Sequence, residues 1–228
     1  MIKVAKFGGS SLASAKQFQK AGNIIFEDID RRYVVPSAPG RRFDGDTKVT
    51  DMLYQCYNTA CKGDNFTPIL KEIQERYQEI IDGLSLDLSL ESEFREIHRQ
   101  IENRTGIDYA ASRGEYLNGI LLANYLNYEF VDAGEVIFFK EDGSFDDEKL
   151  NRIERAVIPG FYGTAPDGTV KTFSRGGSDI TGSIIARAVH ADLYENWTDV
   201  SGFLLTDPHV VNNPEVISTI TYKELREL

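Results

Sequence analysis

Two stretches of this sequence bring glycines, hydroxyls and charges together in a pattern suited to phosphate chemistry. They are Lys6-Phe7-Gly8-Gly9-Ser10-Ser11 and Phe173-Ser174-Arg175-Gly176-Gly177-Ser178-Asp179-Ile180-Thr181. In each, an apolar run ends in a glycine pair and a helical pattern follows. Glycines let the backbone approach an anion, free N–H groups at a helix start point at it, and the helix dipole favours negative charge. Lys6 adds a cation at the end of the first run. Arg175 offers a planar fork suited to a carboxylate or a phosphate. Ser178 can donate a hydrogen bond, and Asp179 can orient nearby cations. Taken alone, the first loop reads equally as a tight β–α turn, and Asp179 as a charge in a first helical turn. Neither spacing is that of a P-loop or of Gly-x-Gly-x-x-Gly. Two such junctions in one sheet can face a common ligand, one positioning phosphates and the other the reaction partner.

The elements around these junctions follow from periodicity. Ile2 to Lys6 reads as a strand. Ala13 to Asp30 reads as a helix, with Phe18, Ile24, Ile25 and Ile29 at three- and four-residue spacing. Tyr33-Val34-Val35 is a short strand leading into Pro36-Ser37-Ala38-Pro39-Gly40, and Arg41 to Lys48 is a polar, mobile loop. Thr50 caps the next helix, with Asp51 in its first turn. Thr67 to Asn103 predicts two long amphipathic helices broken at Gly83 to Ser89, a hairpin packed against the sheet or extending from it. Ser112-Arg113-Gly114-Glu115 starts a further helix. Phe130 to Asp132, Val136 to Phe139 and Val157 to Phe161 read as strands, with a polar helix from Asp146 to Ala156. Asp167-Gly168 marks a hairpin between Tyr162 and Val170. A small-residue helix runs to His190, Ala191 to Trp197 is a strand, and a helix begins at Tyr222. Strands alternating with helices predict one α/β domain with a parallel sheet.

Bulk properties narrow the functional classes. The 228 residues are 41% hydrophobic and 27% charged, the composition of an ordinary globular protein. A net charge of −11 argues against nucleic acid as a partner and makes each local basic group more meaningful. No apolar run is long enough for a membrane span and the N-terminus lacks a signal-peptide pattern, so a cytoplasmic protein without a membrane partner is expected. Cys56 and Cys61, five apart on one helix, read as buried structural thiols rather than a metal pair or a disulfide. With three histidines in the chain and no carboxylate cluster at ligand spacing, no protein metal site is expected.

In order, Lys6-Phe7-Gly8-Gly9-Ser10-Ser11, Ser37-Ala38, Thr50-Asp51-x-Leu53, Arg113-Gly114-Glu115, Arg175-Gly176-Gly177-Ser178-Asp179, Thr198-Asp199-Val200-x-Gly202 and Thr206-Asp207-Pro208 resemble the motifs of aspartate kinases, within the amino-acid kinase superfamily. The resemblance spans nearly the whole chain. It implies a three-layer α-β-α sandwich with a mainly parallel central sheet and a helical hairpin insertion around residues 66–104. It also implies transfer of the ATP γ-phosphate, with Mg2+, to the β-carboxylate of L-aspartate. Lys6 and Asp179 would be catalytic. Gly8, Gly9, Ser10, Gly176 and Gly177 would line the phosphates, with Thr198, Asp199, Leu204 and His209 on the nucleotide side. Ser37, Thr50, Glu115, Arg175 and Ser178 would hold aspartate, Arg175 its α-carboxylate and Glu115 its ammonium.

Leu204 and His209 stand where many members carry Tyr and Arg, and Arg41, Arg42 or Lys48 could substitute for the missing cation. The resemblance further implies that the helix beginning at Tyr222 leads into a strand, a helix and two ACT-type regulatory domains outside this sequence, so residues 1–228 are expected to be a catalytic domain of a homo-oligomeric protein. Another amino-acid kinase, of the acetylglutamate or glutamate 5-kinase type, and a non-catalytic nucleotide-binding module on the same fold remain as alternatives.

Overall fold

A computed structural model describes residues 1–140, 145–146, 154–174, 176–198, 202, 206, 211–212 and 215–221. The chain divides into two compact units, Met1–Trp197 and Thr198–Leu228. In the second, Gly202 adopts φ +130° beside Val216.

The first unit is organised on a five-stranded parallel sheet. Its strands are β1 (Lys3–Phe7), β2 (Arg31–Pro36), β3 (Glu129–Phe130), β6 (Ala156–Val157) and β9 (Leu193–Trp197), in the order β3-β6-β2-β1-β9. Central β1 is buried from Val4 to Phe7, as a strand covered on both faces must be. Side chains alternate across a strand, and the two cores record that alternation. Ala5, Phe7 and Val34 face α1 (Ala15–Phe26), α2 (Val49–Cys61) and α5 (Ile107–Leu126). Val4, Tyr33 and Val35 face α7 (Gly177–Ala188). Helices therefore cover both faces of the sheet, the three-layer arrangement implied by the motifs. A second sheet, in the order β5-β4-β7-β8, joins β4 (Phe138–Phe139), β5 (Phe145–Asp146), β7 (Tyr162–Thr164) and β8 (Val170–Thr172). The Asp167-Gly168 turn connects antiparallel β7 and β8, with Gly168 at φ +83°.

The helical hairpin is present as α3 (Thr67–Gly83) and α4 (Glu91–Glu102). It packs chiefly on α1, α2 and α5, and its apolar side chains belong to the same core as Ala5, Phe7 and Val34 of the sheet. Leu70, Ile73, Tyr77, Phe94, Ile97 and Ile101 carry its apolar face into the first core. Full burial of each such side chain contributes about 1.5–3 kcal/mol.

Several local expectations are corrected. Thr50 is the second residue of α2 and Lys48 holds the cap position, without a side-chain cap. Ser112-Arg113-Gly114-Glu115 lies in the interior of α5, which starts at Ile107. The α5 helix is buried nearly all round, so its start has no amphipathic signature. The Val136–Phe139 segment is split between a short helix, α6 (Ala133–Val136), and β4. Cys56 is buried and burial pushes its thiol up to about 12, but Cys61 is exposed. The ends of the helix expected over Asp146 to Ala156 are in strands β5 and β6, Glu154 and Arg155 form a bend, and residues 147–153 lie outside the described residues, as does the helix expected from Tyr222.

The loop from Arg41 to Lys48 is tied down. Arg42 donates to both carboxylate oxygens of Asp46, at 2.9 and 3.1 Å, and reaches Glu79 at 3.3 Å. From α3, the buried Arg76 guanidinium donates to the Gly40 carbonyl at 2.7 Å and the Thr47 carbonyl at 2.6 Å. The two arginines hold the Asp46 carboxyl well below the usual carboxylate range.

Candidate active site

The parity of β1 decides where Lys6 points. It shares a face with Val4, on the α7 side of the sheet, and is 8% exposed. There its Nζ lies 2.8 Å from Asp179 Oδ1. Asp179 sits in the first turn of α7, two residues after Gly177. On neighbouring β9, Asn196 is in register with Lys6, so in a parallel pair it shares that face, and its Nδ2 donates to the same Asp179 oxygen at 3.1 Å. The Tyr194 hydroxyl reaches the Asp179 carbonyl at 3.4 Å. One carboxylate thus gathers a cation and an amide where the first turn of α7 meets the carboxyl ends of β1 and β9.

The Gly8-Gly9-Ser10 turn leaves β1 at the same end. Gly8 donates its N–H to the Trp197 carbonyl at 3.0 Å, and Gly40 donates to the Gly9 carbonyl at 2.8 Å. The turn and the Ala38-Pro39-Gly40 segment lie backbone against backbone. A Cβ at Gly9 would meet the Ala38 oxygen at 2.8 Å, and one at Gly40 the Gly9 carbonyl carbon at 2.6 Å. Glycine is required at both positions because no side chain fits between the two strands of backbone. Gly176 caps α7 at φ +57°, the left-handed region that glycine enters without a Cβ penalty. Ser178 is buried and packs onto Gly160, where an added Cβ would meet its Oγ at 2.5 Å.

Ser37 follows β2. Its N–H donates to the Phe7 carbonyl at 3.0 Å, and its carbonyl accepts from Asn118 Nδ2 at 2.6 Å. Glu115 is 5% exposed, and burial pushes its pKa up to about 8 against the weaker opposing pull of the Ala38 amide, its own amide and Arg113. Among the described residues, its Oε2 and the Oδ1 of Asn118 are buried without hydrogen-bond partners. Arg113, also buried, is caged by Tyr109, Tyr116 and Tyr162, its guanidinium carbon 4.3–5.3 Å from their ring centres. Thr50 is half-buried, next to Val49, which borders Gly114. The structure thus joins Lys6 with Asp179, Gly8 with the end of β9, Gly9 with the loop after β2, and Ser37 and Ala38 with α5.

Arg175, Asp199, Leu204 and His209 lie outside the described residues, and Thr198 begins the second unit. Arg42 pairs with Asp46 and Glu79. Asn118 and Asn196 carry no motif in the sequence. An amide three residues after Glu115 in an otherwise apolar helix is the signal that marks Asn118; for Asn196 the mark is a strand register unknown before folding. Among the described residues, no group of three or more His, Cys, Asp or Glu side chains is placed to hold a metal ion, and no helix is long and apolar enough to cross a membrane.

Comparison with known proteins agrees with this layout. Aspartokinase 3 of Bacillus subtilis (strain 168) is 38% identical over 250 residues, covering 100% of this chain and 55% of that protein. The crystal structure of Clostridium acetobutylicum aspartate kinase superposes with a TM-score of 0.94 at 55% identity, over 100% of this chain and 54% of that one. E. coli aspartokinase III, crystallised with aspartate and ADP, matches at a TM-score of 0.78 and 25% identity, over 95% of this chain and 53% of its own. The chain spans about half the length of the curated relatives named here. The two glycine junctions do not leave one sheet as expected, since the second follows β8 of the other sheet and meets the carboxyl end of β1 through the pairing of Asp179 with Lys6. The sequence profile of the amino acid kinase family covers residues 1–228, and this chain belongs to that family.

Proposed function

We propose that this chain is the catalytic unit of an aspartate kinase, transferring the γ-phosphoryl group of ATP to the β-carboxylate of L-aspartate to give 4-phospho-L-aspartate. The observation that carries the proposal is the 2.8 Å pairing of Lys6 with Asp179 at the carboxyl end of β1, in a chain similar to aspartate kinases along its whole length. A β-carboxylate oxygen attacks the γ-phosphorus, the bond from that phosphorus to the β,γ-bridging oxygen breaks, and ADP leaves with the electron pair. The nucleophile has a solution pKa of about 3.9 and is already ionised, so no general base is needed. The difficulty is the approach of two anions, and positioning with electrostatic stabilisation answers it.

In this reading Lys6 offsets charge on the transferring group, and Asp179 holds the Lys6 ammonium in place. Gly8, Gly9, Ser10, Gly176 and Gly177 offer backbone and hydroxyl donors to the phosphates. Arg175 takes the aspartate α-carboxylate, Glu115 its ammonium, and Ser37, Thr50 and Ser178 complete that pocket. Thr198, Asp199, Leu204 and His209 belong to the nucleotide side. Magnesium bound with ATP would supply charge neutralisation on the phosphates, and Asp179 is the residue of this chain that would offer it a carboxylate. A cytoplasmic, homo-oligomeric whole protein belongs to the same proposal and rests on the family resemblance.

The test is an assay of the intact protein with ATP, magnesium and aspartate, trapping the acyl phosphate with hydroxylamine. Hydroxamate formation dependent on aspartate is expected. Its absence, with turnover of glutamate or N-acetylglutamate in its place, overturns the proposal.

A further inference from the structure

Helix α5 carries two buried acceptors without donors. Glu115 Oε2 and Asn118 Oδ1 are the buried side-chain polar atoms left without a hydrogen-bond partner among the described residues. Buried polar groups are almost always paired, so each such atom needs an explanation. The two residues are three apart on a helix and therefore share a face. Each is anchored through another atom to consecutive residues of the loop after β2. Asn118 Nδ2 donates to the Ser37 carbonyl at 2.6 Å, and the Ala38 backbone N–H donates to Glu115.

The Ser37 contact also fixes the amide. A carbonyl can only accept, so the nitrogen of Asn118 must face it, and Oδ1 is left as the free end. Asn118 is 0% exposed, which rules out bulk water as its partner.

We propose that Asn118 Oδ1 is a second acceptor for the α-ammonium group of the amino-acid substrate, beside Glu115, and so determines selectivity for an amino acid over its deamino or hydroxy analogue. This rests on the function proposed above. An ammonium group has three N–H donors and one positive charge. One carboxylate matches the charge, and a neutral amide oxygen takes a further N–H without adding a second negative charge. A substrate hydroxyl brings a single donor, and a methylene brings none. Either would leave at least one of the two acceptors buried and unpaired, which is how a polar site rejects an analogue lacking the group.

The experiment measures aspartate kinetics together with inhibition by succinate, the deamino dicarboxylate that keeps both carboxylates, in wild type and Asn118→Leu. The expected result is a rise of about ten- to a hundredfold in KM for aspartate, the effect of one hydrogen bond to a charged group. The kcat should stay within about threefold, and the inhibition constant of succinate should be unchanged. Equal weakening of aspartate and succinate identifies Asn118 as a brace for Ser37 only and overturns the proposal; an unchanged aspartate KM also overturns it. If Asn118→Leu does not fold, Asn118→Ser withdraws the same acceptor with a smaller packing change and is read by the same ratio. A wild-type protein that phosphorylates a different amino acid overturns the function proposed above, and Asn118 is then judged by that amino acid against its own deamino analogue.

Discussion

Glu115 is a carboxyl group that the fold buries without a full set of partners, so its charge depends on what binds. With its pKa pushed up to about 8, it is mainly neutral in the free protein at pH 7. An ammonium ligand requires the carboxylate, so binding must include loss of the proton below that pKa. Aspartate affinity should therefore rise with pH, by up to about tenfold per pH unit between pH 6 and 8, and level off above. Glu115→Gln should bind weakly with a flat profile, and calorimetry at three pH values checks both. In the proposed function, Lys6 and Asp179 belong to the other half of the chemistry. Lys6→Met and Asp179→Asn should each lower kcat by about 10²–10³-fold, with a much smaller change in aspartate dissociation constant. The double variant should lose little more than either single one, because the pair acts as a unit. Equal losses in turnover and in affinity would indicate a binding role.

At the scale of elements, the Gly8-Gly9-Ser10 turn, assigned to the phosphates in the proposed function, is held by backbone contact with its neighbour. Gly40 packs on Gly9, and Gly40 is held in turn by Arg76 from the helical hairpin. Gly40→Ala forces a methyl group against the Gly9 carbonyl and should cost about 1–3 kcal/mol in unfolding free energy, with a loss of turnover as the turn shifts. Arg76→Met removes the donors to two loop carbonyls and a cation beside Asp46 at 3.4 Å. It should destabilise by about 3–5 kcal/mol, read as a lowered urea midpoint. The hairpin is thus part of what holds the loop after β2 against the turn after β1. The sequence marked its two helices through their apolar spacing. It could not mark this connection, because Arg76 meets Gly40 and Thr47 across some thirty residues and looks like one charge among many on an amphipathic helix.

Over the whole molecule, Glu115 imposes a pH dependence on stability with the opposite sign to that of its binding effect. Its folded pKa, about 8, lies above the ordinary value of 4.5, so the native state keeps a proton that the unfolded chain releases. Stability should therefore fall as pH rises between those two values, by about 1.4 kcal/mol for each pH unit crossed. Urea unfolding at pH 5 and pH 8 should show the decline, and Glu115→Gln should remove this component of it. A buried group that weakens the fold at neutral pH is what a substrate site can carry when the ligand supplies the missing charge.

By itself the sequence determined the two glycine junctions, the α/β alternation, the long helical hairpin and the family. Those features are local in spacing and composition, and local physics writes them directly into the order of residues. Only the tertiary structure decided that β1 lies between β2 and β9, so that Lys6 emerges on the face where Asp179 and Asn196 meet it. Only it placed Arg113, Gly114 and Glu115 inside a helix buried nearly all round, and left Asn118 with one end tied to Ser37 and the other without a partner among the described residues. Strand register and helix burial depend on contacts between residues far apart in the chain, and no spacing along the chain encodes which atom will be left without a partner.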